Sequence, residues 1–306
     1  MTITVERLTH IYNRGAPAER IALHDVSLRI EDGSFAAIVG VTGSGKSTLV
    51  QHFNALLRPT SGRVLVDDLD VGSREARGPA LRALRQKVAL LFQFPEAQLF
   101  ANSIYDDVAF GPRQLGLNPT EVRARVLAAV EAVALSPDEA WLRRSPFALS
   151  GGQRRRIALA GVLAMRPRVL VLDEPSAGLD AEARDEIYER LRALRERDGL
   201  TIVIVSHDMG EVARMADAMF VLSEGHLRLA GRPQDLFRHT ELIAACGLLP
   251  PPLAETVTLA NERGLSLQPA DYSIDQVAEA IMVARTRRRR TDSAGRSAGS
   301  DAGDAE

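Results

Sequence analysis

The stretch Gly40-Val41-Thr42-Gly43-Ser44-Gly45-Lys46-Ser47-Thr48 has the residue types and spacing of a loop that cradles phosphates. Its glycines let the backbone curl so that successive N–H groups face one anion, and a helix starting near Lys46 adds its positive dipole end. Lys46 offers a point charge to the β- and γ-phosphates, and the Ser47 hydroxyl suits Mg²⁺. Asp173 and Glu174 follow the apolar run 169–172. Asp173 suits a Mg²⁺ ligand, and Glu174 a general base that polarises the attacking water. Gln93 follows the apolar run 88–92, with a side-chain oxygen for Mg²⁺ or that water. His207 follows the run 201–205 and is placed to meet a γ-phosphate. Taken alone, each of these strand-end residues reads more simply as a polar terminus, and the alternative to the phosphate loop is a Gly-rich turn with no ligand. Their convergence decides: Ser47, Gln93, Asp173 and His207 are all expected at one edge of one sheet, where open α/β folds bind ligands. The chemistry implied is hydrolysis of ATP with Mg²⁺.

A second anion-receptive stretch is Leu149-Ser150-Gly151-Gly152-Gln153, a serine and two glycines opening a helix. Two such sites for one triphosphate suggest a head-to-tail pair, in which each subunit presents its Ser150 helix end to the phosphate held by the other. ATP would join the pair and hydrolysis would release it. The plain alternative is an ordinary Gly-rich helix start.

The elements that must position these residues are legible as periodicities. Alternation over 2–8, and the run 22–30 ended by Glu31-Asp32-Gly33, predict strands. A strand over 35–39 leads into the phosphate loop, and the helix behind it is expected to end near Leu57. Short strands are predicted over 63–66 and 88–92, with one or two helical turns over 81–86 between them. Asn118-Pro119 predicts a capped helix start. A helix should follow Ser150 as far as Pro167, and another runs from the cap Asp180 to Gly199. A hairpin is expected around Ser223-Glu224-Gly225. Buried strands alternating with helices indicate an α/β core with a mainly parallel sheet; antiparallel pieces cluster at the start of the chain. Beyond about Thr240, two helices are predicted over 253–263 and, capped by Ser273, up to Ala284. From Arg285 a basic run and a Ser/Ala/Gly/Asp tail read as disordered.

Composition sets bounds. The chain has 306 residues, 45% hydrophobic and 25% charged, ordinary values for a globular protein. A net charge of −2 gives no whole-molecule attraction to nucleic acid. Cys246 is the sole cysteine, so an intrachain disulfide or cysteine-rich zinc site is excluded, and a reducing compartment suits the chain. The N-terminus lacks a charged-then-apolar signal pattern, and no apolar run approaches a membrane span. A membrane role therefore runs through a partner or a surface contact.

These motifs in this order resemble the nucleotide-binding subunit of ABC transporters: phosphate loop, Q-loop Gln93, signature Leu149-Ser150-Gly151-Gly152-Gln153, strand-end Asp173-Glu174, D-loop Ser176-Ala177-Gly178-Leu179-Asp180 and switch His207. The resemblance spans roughly 1–240. It implies a P-loop NTPase fold of the ABC ATPase type, with an antiparallel β subdomain and an inserted helical lobe near 95–160. It also implies that Tyr12 stacks on adenine; read unaided, a tyrosine at a strand end is more often plain packing. A finer likeness comes from Gln93-Phe94-Pro95-Glu96-Ala97-Gln98-Leu99-Phe100, Phe110-Gly111-Pro112, Gly15-Ala16-Pro17 and Ser145-Pro146-Phe147-Ala148-Leu149. These resemble the energy-coupling factor (ECF) transporter ATPases, second paralogue. That family implies a second ATPase subunit, a transmembrane coupling subunit, and a membrane substrate-binding subunit that imports a vitamin or transition-metal ion. It places the chain at the cytoplasmic face of the membrane, with residues 241–284 as a dimer contact or a stabilising cap. The apolar residues around Gln98 suggest a groove for a cytoplasmic helix of the membrane subunit, or else a small satellite core. The Arg287–Arg290 run suggests either contact with anionic lipid or a solvated tail. The rival functions are the ATPase of a conventional ABC importer with a separate solute-binding protein, and a soluble ABC ATPase without transport.

Overall fold

A computed structural model describes residues 1–269 and 272–298. Strands β1 (Ile3–Tyr12) and β2 (Arg20–Ile30) lead to β3 (Phe35–Val39) and helix α1 (Lys46–Phe53). Next come β4 (Ser61–Val66), β5 (Leu69–Asp70), α2 (Gly78–Lys87) and β6 (Val88–Leu91). A helical stretch follows: α3 (Ile104–Gln114), α4 (Pro119–Ala132), α5 (Glu139–Leu142) and α6 (Gly151–Leu163). The chain returns through β7 (Val169–Asp173), α7 (Ala181–Asp198), β8 (Thr201–Ser206), α8 (Met209–Met215), β9 (Ala218–Ser223) and β10 (His226–Gly231). It closes with α9 (Pro233–Leu236), α10 (Thr240–Ala245), α11 (Pro252–Glu262) and α12 (Ile274–Ala298).

The strands form two sheets. One is antiparallel, in the order β2-β1-β4-β5; the other is six-stranded, in the order β10-β9-β3-β8-β7-β6. All neighbours in the second sheet are parallel except the β9–β10 hairpin. Apart from the edge strand β10, its strands are predominantly apolar on both faces, as a sheet covered on both sides requires. Phe35, Ala37, Val39, Leu170, Leu172, Ile202 and Ile204 pack with the helices of the inserted stretch and of the C-terminal region. Their alternating neighbours Ala36, Ile38, Val169, Val171, Val203 and Val205 pack with α1 and the antiparallel sheet.

The register places the site. Val39 pairs with Ser206, Asp173 with Val205, and Leu91 with Leu172. The C-terminal ends of β3, β6, β7 and β8 therefore lie along one edge.

Four sequence expectations are corrected. Helix α6 stops at Leu163 and does not run on to Pro167. Helix α1 stops at Phe53, not near Leu57. Ala55 has a positive φ of 53°, and the Leu56 and Leu57 N–H groups both turn back to the Gln51 carbonyl, so the chain leaves the helix well before Pro59. The turns predicted over 81–86 are a full ten-residue helix, Gly78–Lys87, started by Pro79 at a position where a missing N–H costs nothing. Beyond Arg285, helix α12 continues to Ala298. Its start is fixed by the Ser273 hydroxyl accepting from Gln276 N–H and by buried Val277. The Arg- and Ala-rich sequence behind it contains no proline to stop propagation. The side chains of Arg287–Arg290 and the tail 299–306 lie outside the described residues.

Candidate active site

The phosphate loop is a backbone structure that tolerates few side chains. Gly45 has φ 103°, and a Cβ there would stand 2.6 Å from the Ala22 carbonyl oxygen. At Gly40 (φ 157°) it would collide with the Leu222 carbonyl and the Ser44 hydroxyl. Both positions are closed to other residues by space as well as by dihedral. Val41, Thr42 and Gly43 are exposed along the loop. Ser44 is buried, and its hydroxyl has no partner among the described residues. The Lys46 ammonium lies inside the loop, donating to the carbonyls of Gly40 (2.7 Å) and Val41 (3.0 Å). Burial lowers its pKa, while Glu174 and Asp173 act in the opposite sense.

Opposite the loop, the Ser47 hydroxyl donates to Asp173 Oδ2 at 2.8 Å. Asp173 is buried at the end of β7. Burial raises its pKa; the Ser47 hydrogen bond and Lys46 counter that, and Glu174 reinforces it. Glu174 turns the chain with a positive φ of 53°, a costly backbone state that clusters at functional positions. It is held there by its N–H donating to the Val205 carbonyl at 2.9 Å. Its carboxylate accepts from His207 Nδ1 at 2.8 and 2.9 Å to its two oxygens. Because a carboxylate only accepts, Nδ1 carries the proton, and Nε2 is left to face a ligand. Gln93 is exposed two residues past β6, at the same edge. Tyr12 is half-buried at the end of β1, its hydroxyl 3.2 Å from Thr48 Oγ1.

The second motif stands apart. Ser150 caps α6: its hydroxyl accepts from Gln153 N–H, and its own N–H donates to Gln153 Oε1, a reciprocal capping box. Ser150 and Gly151 are exposed. Among the described residues, no hydrogen bond joins Ser150, Gly151, Gly152 or Gln153 to the phosphate loop of the same chain.

Sequence reasoning missed three features. Buried Arg155, one of three consecutive arginines, donates to the carbonyls of Pro175 and Ala177 and lies 3.6 Å from Glu96. It thus ties the helix of the second motif to the loops after β6 and β7. Buried Glu211 accepts from Tyr188 (2.6 Å) and Ser206 (3.2 Å), bracing the segment that carries His207. Arg20, paired across the sheet with Tyr12, brings a guanidinium nitrogen to 3.7 Å from where a Gly43 Cβ would be. Only the Arg155 position, second residue after Gln153, had a local signal, its place in the motif helix.

Behind the loop, His52 is fully buried and burial brings its pKa down to about 4 from 6.5, the Thr48 carbonyl opposing and His10 adding. The unfolded chain therefore takes up a proton that the folded one refuses. Stability conferred by neutral His52 is complete above pH 6.5 and is lost as the pH falls toward about 4. By pH 5.5 the loss should reach about 1 kcal/mol. Thermal melts between pH 7.5 and 5 will show a falling midpoint, and His52→Gln will flatten that slope; equal slopes would contradict the assignment.

A phosphate loop, a strand-end carboxylate pair and an inserted helical stretch on one sheet define an ATP-binding P-loop ATPase. The family described as ABC transporter matches residues 23–177. The energy-coupling factor transporter ATP-binding protein EcfA2 of Symbiobacterium thermophilum is 50% identical over 281 residues, covering 92% of this chain and 96% of that one. Its namesake from Clostridium perfringens is 42% identical, covering 92% and 98%. The solved structure of cbiO1 from Clostridium perfringens, part of the ABC transporter complex cbiONQ, has a TM-score of 0.69 at 38% identity over 83% of this chain and 98% of that one. The dimeric cassette MJ0796 bound to ADP and Pi has a TM-score of 0.66 at 29% identity, over 76% and 98%. The chain belongs to the ABC transporter family and, within it, to the energy-coupling factor transporter ATP-binding proteins; it is an ATPase.

Proposed function

We propose that the chain pairs head to tail with a second ATPase subunit and that hydrolysis between them drives import of a vitamin or transition-metal ion through membrane subunits. The carrying observation is the split site: loop, carboxylates and His207 share one edge, while Ser150 caps an exposed helix end elsewhere. Completing the site needs a second chain. Binding of the triphosphate exchanges the loop carbonyls on Lys46 for phosphate oxygens and gives the orphaned Ser44 hydroxyl an acceptor. Ser47 and buried Asp173 form a hard oxygen set that fits Mg²⁺, which when bound neutralises charge developing on the β- and γ-oxygens. Glu174 polarises the attacking water, oriented by His207. Gln93, exposed two residues past β6, would touch that water or the ion. The dimeric relative supports this geometry by analogy.

Among the described residues no helix is long and apolar enough to cross a membrane, so attachment falls to a surface. A cavity of about 840 Å³ lies between α2, α3 and α6, lined by Gln98, Leu99, Phe100, Phe110 and Met165, with Arg82 on its wall. Phe100 and Phe110 stack edge to face at 5.0 Å, and both are exposed. Of the apolar loop residues, Pro95 and Leu99 are buried while Phe94 and Phe100 are not. The stretch thus combines a small core with an apolar wall. That wall suits an amphipathic helix contributed by a membrane subunit at the cytoplasmic face. A Gln98→Cys chain assembled in membranes should crosslink to that subunit. A transport-competent complex giving no crosslink would sink the docking assignment. Leu249, in the loop after α10, and Ile274 and Met282 of α12 are exposed, apolar side chains available for contact with the partner ATPase.

A further inference from the structure

Two histidines lie buried between the strand that ends in Tyr12 and the helix that follows the phosphate loop. Their bonding allows one proton arrangement. His52 Nδ1 is 2.7 Å from the Thr48 carbonyl, which only accepts, so Nδ1 carries the proton and Nε2 a lone pair. That lone pair faces His10 Nδ1 at 3.1 Å, so His10 also carries its proton on Nδ1. The same N–H lies 3.2 Å from the Arg58 carbonyl and is shared between the two acceptors. In their neutral forms both rings are fixed in tautomer by these bonds.

The chain of contacts closes on itself. The His10 ring meets the Tyr12 ring edge on, centroids 4.5 Å apart. The Tyr12 hydroxyl is 3.2 Å from Thr48 Oγ1, and Thr48 is the residue whose carbonyl takes the His52 proton. Thr48 directly follows the Ser47 that bonds Asp173. The circuit Tyr12, Thr48, His52, His10 therefore references the tyrosine ring to the helix that starts at the phosphates. His52 touches the loop stretch at its last residue, Thr48, and among the described residues neither histidine is hydrogen-bonded to residues 40–47.

We propose that His10 and His52 are positioning residues that hold the Tyr12 ring at a set distance from the phosphate loop, so that base and triphosphate of one nucleotide are engaged together. The inference rests on Tyr12 being the adenine platform, and the experiment separates the two. The readout is the ratio of affinities for Mg-ATP and Mg-tripolyphosphate, measured on the purified full-length chain. Tripolyphosphate uses the loop and has no base, so a general loss of structure weakens both ligands, whereas loss of the platform weakens ATP alone.

Removing the base platform by Tyr12→Ala should lower the ratio about tenfold, the scale of one base–aromatic stack. His52→Leu, which removes both hydrogen bonds of the ring, should lower it at least about threefold with tripolyphosphate affinity kept. His52→Gln, whose amide oxygen accepts from His10 Nδ1, should restore it. Where His52→Leu fails to fold, His10→Leu against His10→Asn poses the same comparison, since the Asn amide replaces the donating N–H. A ratio lowered by Tyr12→Ala and untouched by the leucine variants overturns the positioning role and leaves the platform standing. A ratio untouched by Tyr12→Ala removes the platform and the inference with it.

Discussion

Glu174→Gln will bind ATP with near wild-type affinity and will fail to turn it over, with kcat reduced at least about 100-fold, the lower end of what a positioned general base contributes. The substitution is nearly isosteric. Its amide oxygen still accepts from His207 Nδ1, which Glu174 now does at 2.8 Å, and the backbone turn at Glu174, held by Val205, is unaffected. What disappears is the basic oxygen that polarises water. Because hydrolysis opens the proposed pair, the variant should also accumulate the closed, ATP-loaded form. A steady-state phosphate-release assay beside an ATP-binding isotherm checks both halves. Normal turnover would remove Glu174 from its role.

Lys46→Ala acts one step earlier and should weaken ATP binding itself by about 10- to 100-fold, the range for losing a hydrogen-bonded charge in a partly buried site. Lys46 is the loop's own cation, and its ammonium already occupies the cradle on the Gly40 and Val41 carbonyls. Removing it leaves two carboxylates, buried Asp173 and half-buried Glu174, facing a polyanion without the positive charge that offsets them. The two variants should separate cleanly in isothermal titration: one binds and stalls, the other scarcely binds.

The chemistry of the site was legible because its parts are local in sequence. Glycine spacing dictates the loop, and apolar runs dictate strands whose polar successors, Gln93, Asp173 and His207, must fall at one edge once the strands run parallel. What depends on tertiary placement was hidden. Arg155 reads as one of three arginines in the polar first turns of α6, and its bonds to Pro175 and Ala177 exist only because the loop after β7 folds beside that helix. His10 and His52 stand 42 positions apart and carry no shared pattern. The end of α1 was misjudged because Ala55 adopts a left-handed state that no residue type there signals. Helix α12 runs past its expected end to Ala298 although Thr291, Asp292, Ser293 and Gly295 are poor helix formers, so no local signal announces it.

The measurement that bears most directly on the account is a structure of the membrane complex purified through this chain, carrying Glu174→Gln and loaded with ATP. The account predicts Ser150 Oγ within about 3 Å of a γ-phosphate oxygen held by the partner ATPase's phosphate loop, with this chain's own triphosphate gripped reciprocally. ATP seated on Lys46 while Ser150 keeps only its bonds to Gln153 and meets no phosphate would contradict it.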